Sequence, residues 1–276
     1  MDDDFLFWDE EEDYKPLKAP FAWCGGKSRI AAKIVENLPH SDTYVEVFGG
    51  SGAVLLHKPP CKLDVYNDRF TGVAAFYRCL ADDEKYPKLL EKLNLMIHSR
   101  ENFYIAKQTW EQAADDVTRA SLWYQTIEHG FASIPRAWGR VMKPPTTLSA
   151  RFRKKLKMFP QIHERISKVQ VENCNYKVMF QDYDSPETVF YCDPPYLDTD
   201  VNIYKHKWSM DDQLELLEII FKTKGFVALS GYDSTIVDLF PWDDKLSWES
   251  YVSAKNSSTR ESATEILWIK EAFSDE

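Results

Sequence analysis

The chain has 276 residues, of which 44% are hydrophobic and 14% aromatic, enough for one large folded domain or one domain with an insertion. No stretch approaches the roughly 18 consecutive apolar residues of a membrane span, and the acidic N-terminus is unlike a signal peptide, so we expect a cytoplasmic protein. The five cysteines are odd in number and show no paired spacing, which argues against a disulfide framework and against a zinc site.

The formal net charge of −10 is unevenly distributed along the chain. Residues 1–13 contain eight acidic residues and no basic residue, and we expect residues 1–15 to form a flexible acidic tail. Residues 130–168 contain ten basic residues and one acidic residue, a net charge of +9. A solvated helix face normally mixes both signs, so a block of one sign predicts a phosphate-binding surface.

The first predicted elements alternate between helix and strand. A loop and a helix precede Pro39, and a β-rich run, a glycine turn and the start of a helix follow within residues 43–57. A second strand ends on Asp68, and helical character resumes at Gly72. This order of strand, glycine turn, helix, strand and acid is typical of the nucleotide-binding half of a doubly wound sheet.

The second half of the chain returns to strands after a long helical stretch. Residues 82–133 have a helical pattern, and residues 134–168, with four prolines, predict turns and one helix. A further helix is predicted at 210–223. The last two strands are expected to form a hairpin at the sheet edge. Strands are predicted within the segments 167–173, 188–196, 225–232, 245–255 and 263–270.

Two features suggest a nucleotide site at the start of this sheet. Gly50 and Gly52 follow the first strand and leave room for a ligand to approach the backbone. Asp68 stands at the tip of the next strand, where a doubly wound site holds a ribose diol, although a helix cap is the simpler interpretation.

The segment Cys24-Gly-Gly-Lys-Ser28 superficially resembles a phosphate loop. The full pattern needs a glycine where Phe21 stands, so an ATPase site is not supported. What remains is Trp23 and Lys27 on one glycine-rich turn at a helix start. A helix N-terminus and an ammonium together suit a carboxylate.

The segment Asp193-Pro194-Pro195-Tyr196 directly follows a hydrophobic strand. Neither proline can donate to a sheet ladder, so the strand must stop at Asp193 in a stiff, extended turn. A plain strand exit is one interpretation of this turn.

A chemical interpretation is that this turn activates an exocyclic amino group on a base. Such a nitrogen is a poor nucleophile because its lone pair is delocalised into the ring. The Asp193 carboxylate and the Pro194 carbonyl, held in fixed positions, can accept its two hydrogens, and these bonds strengthen as positive charge develops on the nitrogen. The Tyr196 ring can stack on the base. The predicted catalytic residues are therefore Asp193, Pro194 and Tyr196.

Five segments in the order WCGGK, EVFGGSG, YND, YCDPPY and EILWI resemble the Dam-like class of DNA adenine N6-methyltransferases. The resemblance covers about residues 16–80 and 169–270, and it implies methyl transfer from S-adenosyl-L-methionine. It also implies a set of cofactor-contacting positions, namely Trp23, Lys27, Phe48, Gly50, Gly52, Asp68 and Asp193.

The resemblance implies a Rossmann-like α/β methyltransferase sheet formed by residues 16–80 and 169–273, with a mostly helical target-recognition insertion at 81–168. We expect a monomer or weak dimer without a metal, acting on double-stranded DNA whose target base is flipped out. The segment 130–152 does not resemble the recognition segments of GATC-specific enzymes, so GATC is not assumed as the target. The predicted DNA-binding residues are Arg136, Arg140, Lys143, Arg151, Arg153, Lys154 and Lys155.

Three other functions fit parts of these patterns. Methylation of cytosine N4 uses the same amino-group chemistry, although Asp rather than Ser before the prolines favours adenine by family habit. A non-enzymatic DNA-binding regulator could keep the fold, but every reactive position named above is intact. RNA methylation is the third alternative.

Overall fold

A computed structural model describes residues 14–131, 134–140, 148–196, 208–251 and 262–273. Helices within these ranges are α1 Ala31–Val35, α2 Thr71–Ala81, α3 Lys85–Leu95, α4 Arg100–Thr109, α5 Asp116–Glu128, α6 Leu148–Leu156, α7 Phe159–Ile166, α8 Tyr176–Tyr183 and α9 Met210–Ile220. Strands are β1 Thr43–Glu46, β2 Leu63–Asn67, β3 Gly130–Phe131, β4 Ile134–Trp138, β5 Val169–Glu172, β6 Thr188–Cys192, β7 Phe226–Tyr232, β8 Asp244–Tyr251 and β9 Ser262–Lys270. Of the helices described, none is long and apolar enough to cross a bilayer.

The larger sheet has seven strands in the order β5-β2-β1-β6-β7-β9-β8. The pairs from β5 to β7 are parallel, and β9 runs antiparallel to both of its neighbours, β7 and β8. The strand order changes direction between β1 and β6, and doubly wound sheets bind their ligands at this switch point. The predicted Rossmann-like α/β fold class is confirmed.

Helices cover both faces of the sheet, which explains why its central strands are almost continuously apolar. All five residues of β6 are buried. One hydrophobic cluster joins the sheet to α2, α5 and α7, and a second joins the opposite face to α8 and α9.

The helical segment after α2 shares the hydrophobic core of the sheet. Phe76 of α2 stacks on Tyr124 of α5, with ring centroids 4.7 Å apart. Trp123 packs so closely on Gly72 that an added Cβ would lie 2.4 Å from its ring. The helical character predicted for 82–133 is therefore largely confirmed, while the boundary of a recognition insertion at residue 81 stays a prediction.

Three local predictions were wrong or incomplete. Residues 47–58 form turns instead of beginning a helix, and the buried Glu46 carboxyl group accepts the Leu55 N–H at 2.7 Å. The small β3–β4 sheet was not predicted because β3 has only two residues, too few to show a period. Helix α8, which Asn175 caps through the Lys177 N–H, was also missed. The predicted hairpin is confirmed, with β8 at the edge of the sheet and β9 between β7 and β8.

Candidate active site

The predicted site residues meet at the carboxyl edge of the parallel strands. The Gly50 turn follows β1, Asp68 follows β2, Asp193 follows β6, and β7 ends on Tyr232. Because β9 runs in the opposite direction, a residue near its beginning reaches the same edge. That residue is Glu265, which lies opposite Tyr232 in the β7–β9 ladder.

Lys27 and Asp193 form the centre of this site, although 166 positions separate them in the sequence. The Lys27 Nζ donates to Asp193 Oδ1 at 2.6 Å, to the Tyr196 hydroxyl at 2.6 Å and to the Gly25 carbonyl at 2.9 Å. Lys27 is only 4% exposed. The turn predicted to hold a cofactor and the turn predicted to hold a base thus share one ammonium.

The Asp-Pro-Pro-Tyr turn begins where the sequence places it, since β6 ends at Cys192. Pro194 is buried, and the Tyr196 ring packs on Tyr232 with centroids 4.5 Å apart. The Tyr196 hydroxyl lies 3.1 Å from Asp193 Oδ1 and 3.2 Å from Glu265 Oε2. The stiff turn therefore fixes both an acid and an aromatic ring at the strand end.

Burial governs the electrostatics of the site. It raises the pKa of Asp193 and of Glu265, and the Lys27 ammonium opposes both rises. Burial also raises the pKa of the neighbouring Glu46 to about 8, which leaves that carboxyl mostly neutral at pH 7. With Asp193 and Glu265 ionised, one ammonium faces two carboxylates, and the centre favours a ligand with a net positive charge.

The glycine turn after β1 is held by aromatic side chains. Gly50 and Gly52 have φ values of +50° and +62°, a region that side chains rarely adopt. A Cβ added to Gly50 would lie 2.9 Å from the Trp23 ring, and one added to Gly52 would lie 2.5 Å from the Tyr77 hydroxyl. Tyr66 donates to the Gly50 carbonyl at 2.6 Å. These glycines therefore admit aromatic rings against the backbone, and Trp23 lies directly on the turn.

Asp68 ties the glycine turn to the start of α2. Its carboxylate accepts the Gly50 N–H and the Phe70 N–H, each at 2.7 Å. Burial raises the pKa of Asp68 to about 6, and these two bonds oppose that rise. The N-cap residue of α2 is Phe70, without a side-chain cap bond, so Asp68 is not the helix cap that the sequence suggested. Its carboxylate has lone pairs left for further donors, which keeps it available to a ligand.

Several residues near the site were missed by sequence reasoning. Phe48, which was predicted, contacts the rings of Tyr176 and Trp208 at centroid distances of 5.5 and 5.6 Å. No local sequence motif marks Tyr176 or Trp208 as a site residue. Glu265 does carry one, because it is an acid on the strand face of Leu267 and Ile269, both of which are buried.

The predicted DNA-binding residues separate into three groups. Lys143 lies outside the described residues. Arg153 donates to the carbonyls of Asn94 and Met96 at the end of α3, and Lys155 pairs with Glu128 at 2.6 Å, so these two residues hold α6 in place. The remaining four, Arg136, Arg140, Arg151 and Lys154, are exposed, as is Arg153.

The charge of Arg136 acts on the turn that precedes Lys27. Burial raises the pKa of the Cys24 thiol, and the charges of Arg136 and Lys27 oppose that rise. Arg136 is therefore within electrostatic reach of the turn that carries Trp23 and Lys27. Over the described ranges, no group of three or more His, Cys, Asp or Glu side chains could hold a metal ion.

Comparison with known proteins agrees with this geometry. A family model for the D12 class N6 adenine-specific DNA methyltransferase matches residues 23–262. The chain is also 25% identical over 241 residues to DNA adenine methylases from two strains of Vibrio cholerae serotype O1, which covers 80% of this chain and 83% of each relative. Since the family match spans most of the chain and includes the Lys27, Gly50 and Asp193 turns, the chain belongs to the D12 class of N6 adenine-specific DNA methyltransferases.

Proposed function

We propose that the enzyme takes its methyl group from S-adenosyl-L-methionine and transfers it to an adenine flipped out of double-stranded DNA into the Asp193 turn. The observation that carries this proposal is the 2.6 Å contact between Lys27 and Asp193 at the switch point of the sheet. It joins a turn suited to a carboxylate and a turn suited to an amino group in one centre. Methyl donor and acceptor must meet in such a place.

The residues present fit this cofactor. When bound, S-adenosyl-L-methionine supplies a methyl group on a positively charged sulfur. Its net positive charge complements the excess of carboxylate around Lys27. Trp23, Gly50 and Gly52 would form the wall of its site.

Individual groups of the cofactor also have candidate partners. The Lys27 ammonium suits the amino-acid carboxylate, and Asp68 retains acceptor capacity for ribose hydroxyls. Phe48, with Tyr176 and Trp208, offers an aromatic surface for the purine ring.

The catalytic contribution of the chain is placement of hydrogen-bond acceptors. The Asp193 carboxylate and the Pro194 carbonyl would accept the two hydrogens of the adenine amino group. These bonds strengthen as the nitrogen becomes positively charged, so they stabilise the transition state more than the ground state. Tyr196, supported by Tyr232, would present its ring to the base.

A base inside a duplex cannot reach Asp193, so the target adenine must leave the stack at a cost of a few kcal/mol. Contacts to the DNA backbone must offset that cost.

We infer that residues 81–168 form the target-recognition region, attached to a catalytic part made of 16–80 and 169–273. Phe131 on the β3–β4 sheet is 63% exposed, and strand β4 of the same sheet carries Arg136, whose charge acts on Cys24.

The exposed basic residues would contact different parts of the DNA. Arg136 and Arg140, on and just after β4, are exposed and suit base-edge contacts. Arg151 and Lys154 of α6 suit phosphate contacts. Arg153 and Lys155 also hold α6, through the Met96 carbonyl and the Glu128 carboxylate.

Replacing Arg151 and Lys154 together by Ala is expected to weaken DNA binding and its dependence on salt. Each lost phosphate contact makes the slope of log affinity against log salt less steep by about 0.9. The slope of the double variant should therefore be less steep than that of wild type by about 1.8. Fluorescence anisotropy with duplex DNA over a salt series measures this slope. Lys222→Ala with Lys224→Ala, just before β7 at the opposite edge of the sheet, is the matched control. An unchanged slope in the α6 variant would place the DNA on another face.

The function itself is tested by incubating unmethylated genomic DNA with the protein and S-adenosyl-L-methionine, followed by mass analysis of the nucleosides. We expect N6-methyladenine in DNA. N4-methylcytosine would select the cytosine alternative, and methylation of RNA alone would select the RNA alternative. DNA binding without any methylated product would identify a non-enzymatic regulator. Modification-aware sequencing of the same DNA identifies the target sequence.

A further inference from the structure

Glu265 is a buried acid at the active centre that the mechanism above does not use. It lies on β9, opposite Tyr232 of β7 and opposite Trp248 of β8, and it is 6% exposed. Since β9 is hydrogen-bonded to strands on both sides, the backbone at Glu265 is firmly positioned. Its side chain has little freedom to leave the site.

The Tyr196 hydroxyl connects Glu265 to the catalytic acid. The hydroxyl oxygen accepts a hydrogen bond from Lys27 at 2.6 Å. Its own hydrogen has two carboxylate acceptors, Asp193 Oδ1 at 3.1 Å and Glu265 Oε2 at 3.2 Å. A phenol has one hydrogen, so it donates to one of these two acids at a time.

The choice of acceptor has a chemical consequence. If Tyr196 donates to Asp193, it occupies acceptor capacity on the carboxylate that must receive the adenine amino hydrogen. If it donates to Glu265, Asp193 keeps that capacity, and the Tyr196 ring is fixed by a bond to a second strand. The Glu265 carboxylate also lies 3.9 Å from Lys27, so it shares the ammonium with Asp193.

We propose that Glu265 is a positioning residue for methyl transfer, which accepts the Tyr196 hydroxyl hydrogen and so leaves Asp193 available to the target adenine. This inference rests on the function proposed above for Asp193 and Tyr196. Glu265 has no need to touch the substrate, because it acts through the tyrosine.

The test compares Glu265→Ala and Glu265→Gln with wild type in steady-state methylation of duplex DNA. Loss of a hydrogen bond to a charged group should lower kcat of the Ala variant by roughly 10- to 100-fold, with KM for DNA nearly unchanged. The Gln side chain keeps an acceptor oxygen, so we expect it to recover most of that loss. Glu249→Gln, on the exposed face of neighbouring β8, is the matched control and should behave as wild type.

A pH profile separates positioning from a merely structural role. Glu265 places a negative charge beside Asp193, and like charges raise each other's pKa. Removing that charge in Glu265→Gln should lower the pKa of Asp193 and move the acid limb of kcat to lower pH. The Glu249→Gln control should leave the limb in place.

Two results would overturn the inference. One is a wild-type kcat in Glu265→Ala; the other is equal loss in the Ala and Gln variants with an unmoved acid limb. Full activity of Asp193→Ala would instead contradict the function proposed for Asp193. The Asp193 and Glu265 variants measured side by side therefore distinguish the two failures.

Discussion

Asp193→Ala is expected to slow methyl transfer by about 100- to 1,000-fold, because one of two preorganised acceptors for the adenine amino group disappears. The loss corresponds to roughly 3–4 kcal/mol of transition-state stabilisation. Asp193→Asn keeps an acceptor oxygen without its charge, so its rate should lie between those of wild type and Asp193→Ala. A single-turnover measurement of methyl incorporation into duplex DNA reports this step directly.

The control for this experiment is Asp182→Ala, an exposed acid on α8 outside the site. It should methylate DNA at the wild-type rate. Binding of DNA to Asp193→Ala is measured in parallel, so that a slow rate is not confused with lost affinity. Near-normal turnover in Asp193→Ala would exclude the proposed catalytic contribution of the Asp-Pro-Pro-Tyr turn.

Lys27→Met should destabilise the folded protein, and more strongly at high pH. It leaves Asp193 and Glu265 without the ammonium that now lies 2.6 and 3.9 Å away. Breaking a buried ion pair in this way costs about 3–5 kcal/mol. Burial raises the pKa of both acids, and the Lys27 ammonium opposes that rise in the wild type. In Lys27→Met this opposing charge is gone, so both pKa values should rise further.

The direction of the pH effect follows from proton linkage. An acid whose pKa is higher in the folded than in the unfolded protein loses folded-state stability as pH rises through these two values. The free energy of unfolding of Lys27→Met, relative to wild type, should therefore fall further at pH 8 than at pH 5. Urea unfolding at both pH values measures the difference.

An exposed ion pair provides the comparison for Lys27. Lys62 lies 2.8 Å from Asp42, but their side chains are 59% and 49% exposed. Lys62→Met should therefore cost no more than about 1 kcal/mol. An equally small, pH-independent cost for Lys27→Met would mean that the ammonium contributes little to the folded state.

Local chemistry made several features of this protein predictable from sequence. A strand cannot continue through Pro194 and Pro195, so its end at Cys192 follows from covalent structure. Gly50 and Gly52 mark a turn because they adopt positive φ without strain. The order of strands, turns and acids then places Asp68 and the other strand-end residues at one edge of a doubly wound sheet.

Contacts between distant segments were decided by the tertiary structure alone. The sequence assigned Lys27 to a cofactor and Asp193 to a base and, by resemblance, to the cofactor as well, but only the fold shows that their side chains lie 2.6 Å apart. The run of basic residues predicted one DNA-binding surface, which stays a prediction; the fold adds contacts from Arg153 to the Met96 carbonyl and from Lys155 to Glu128. Glu265 reaches the site because β9 runs against its neighbours. Periodicity and turn chemistry describe a few neighbouring residues, whereas these pairings depend on how whole strands and helices pack.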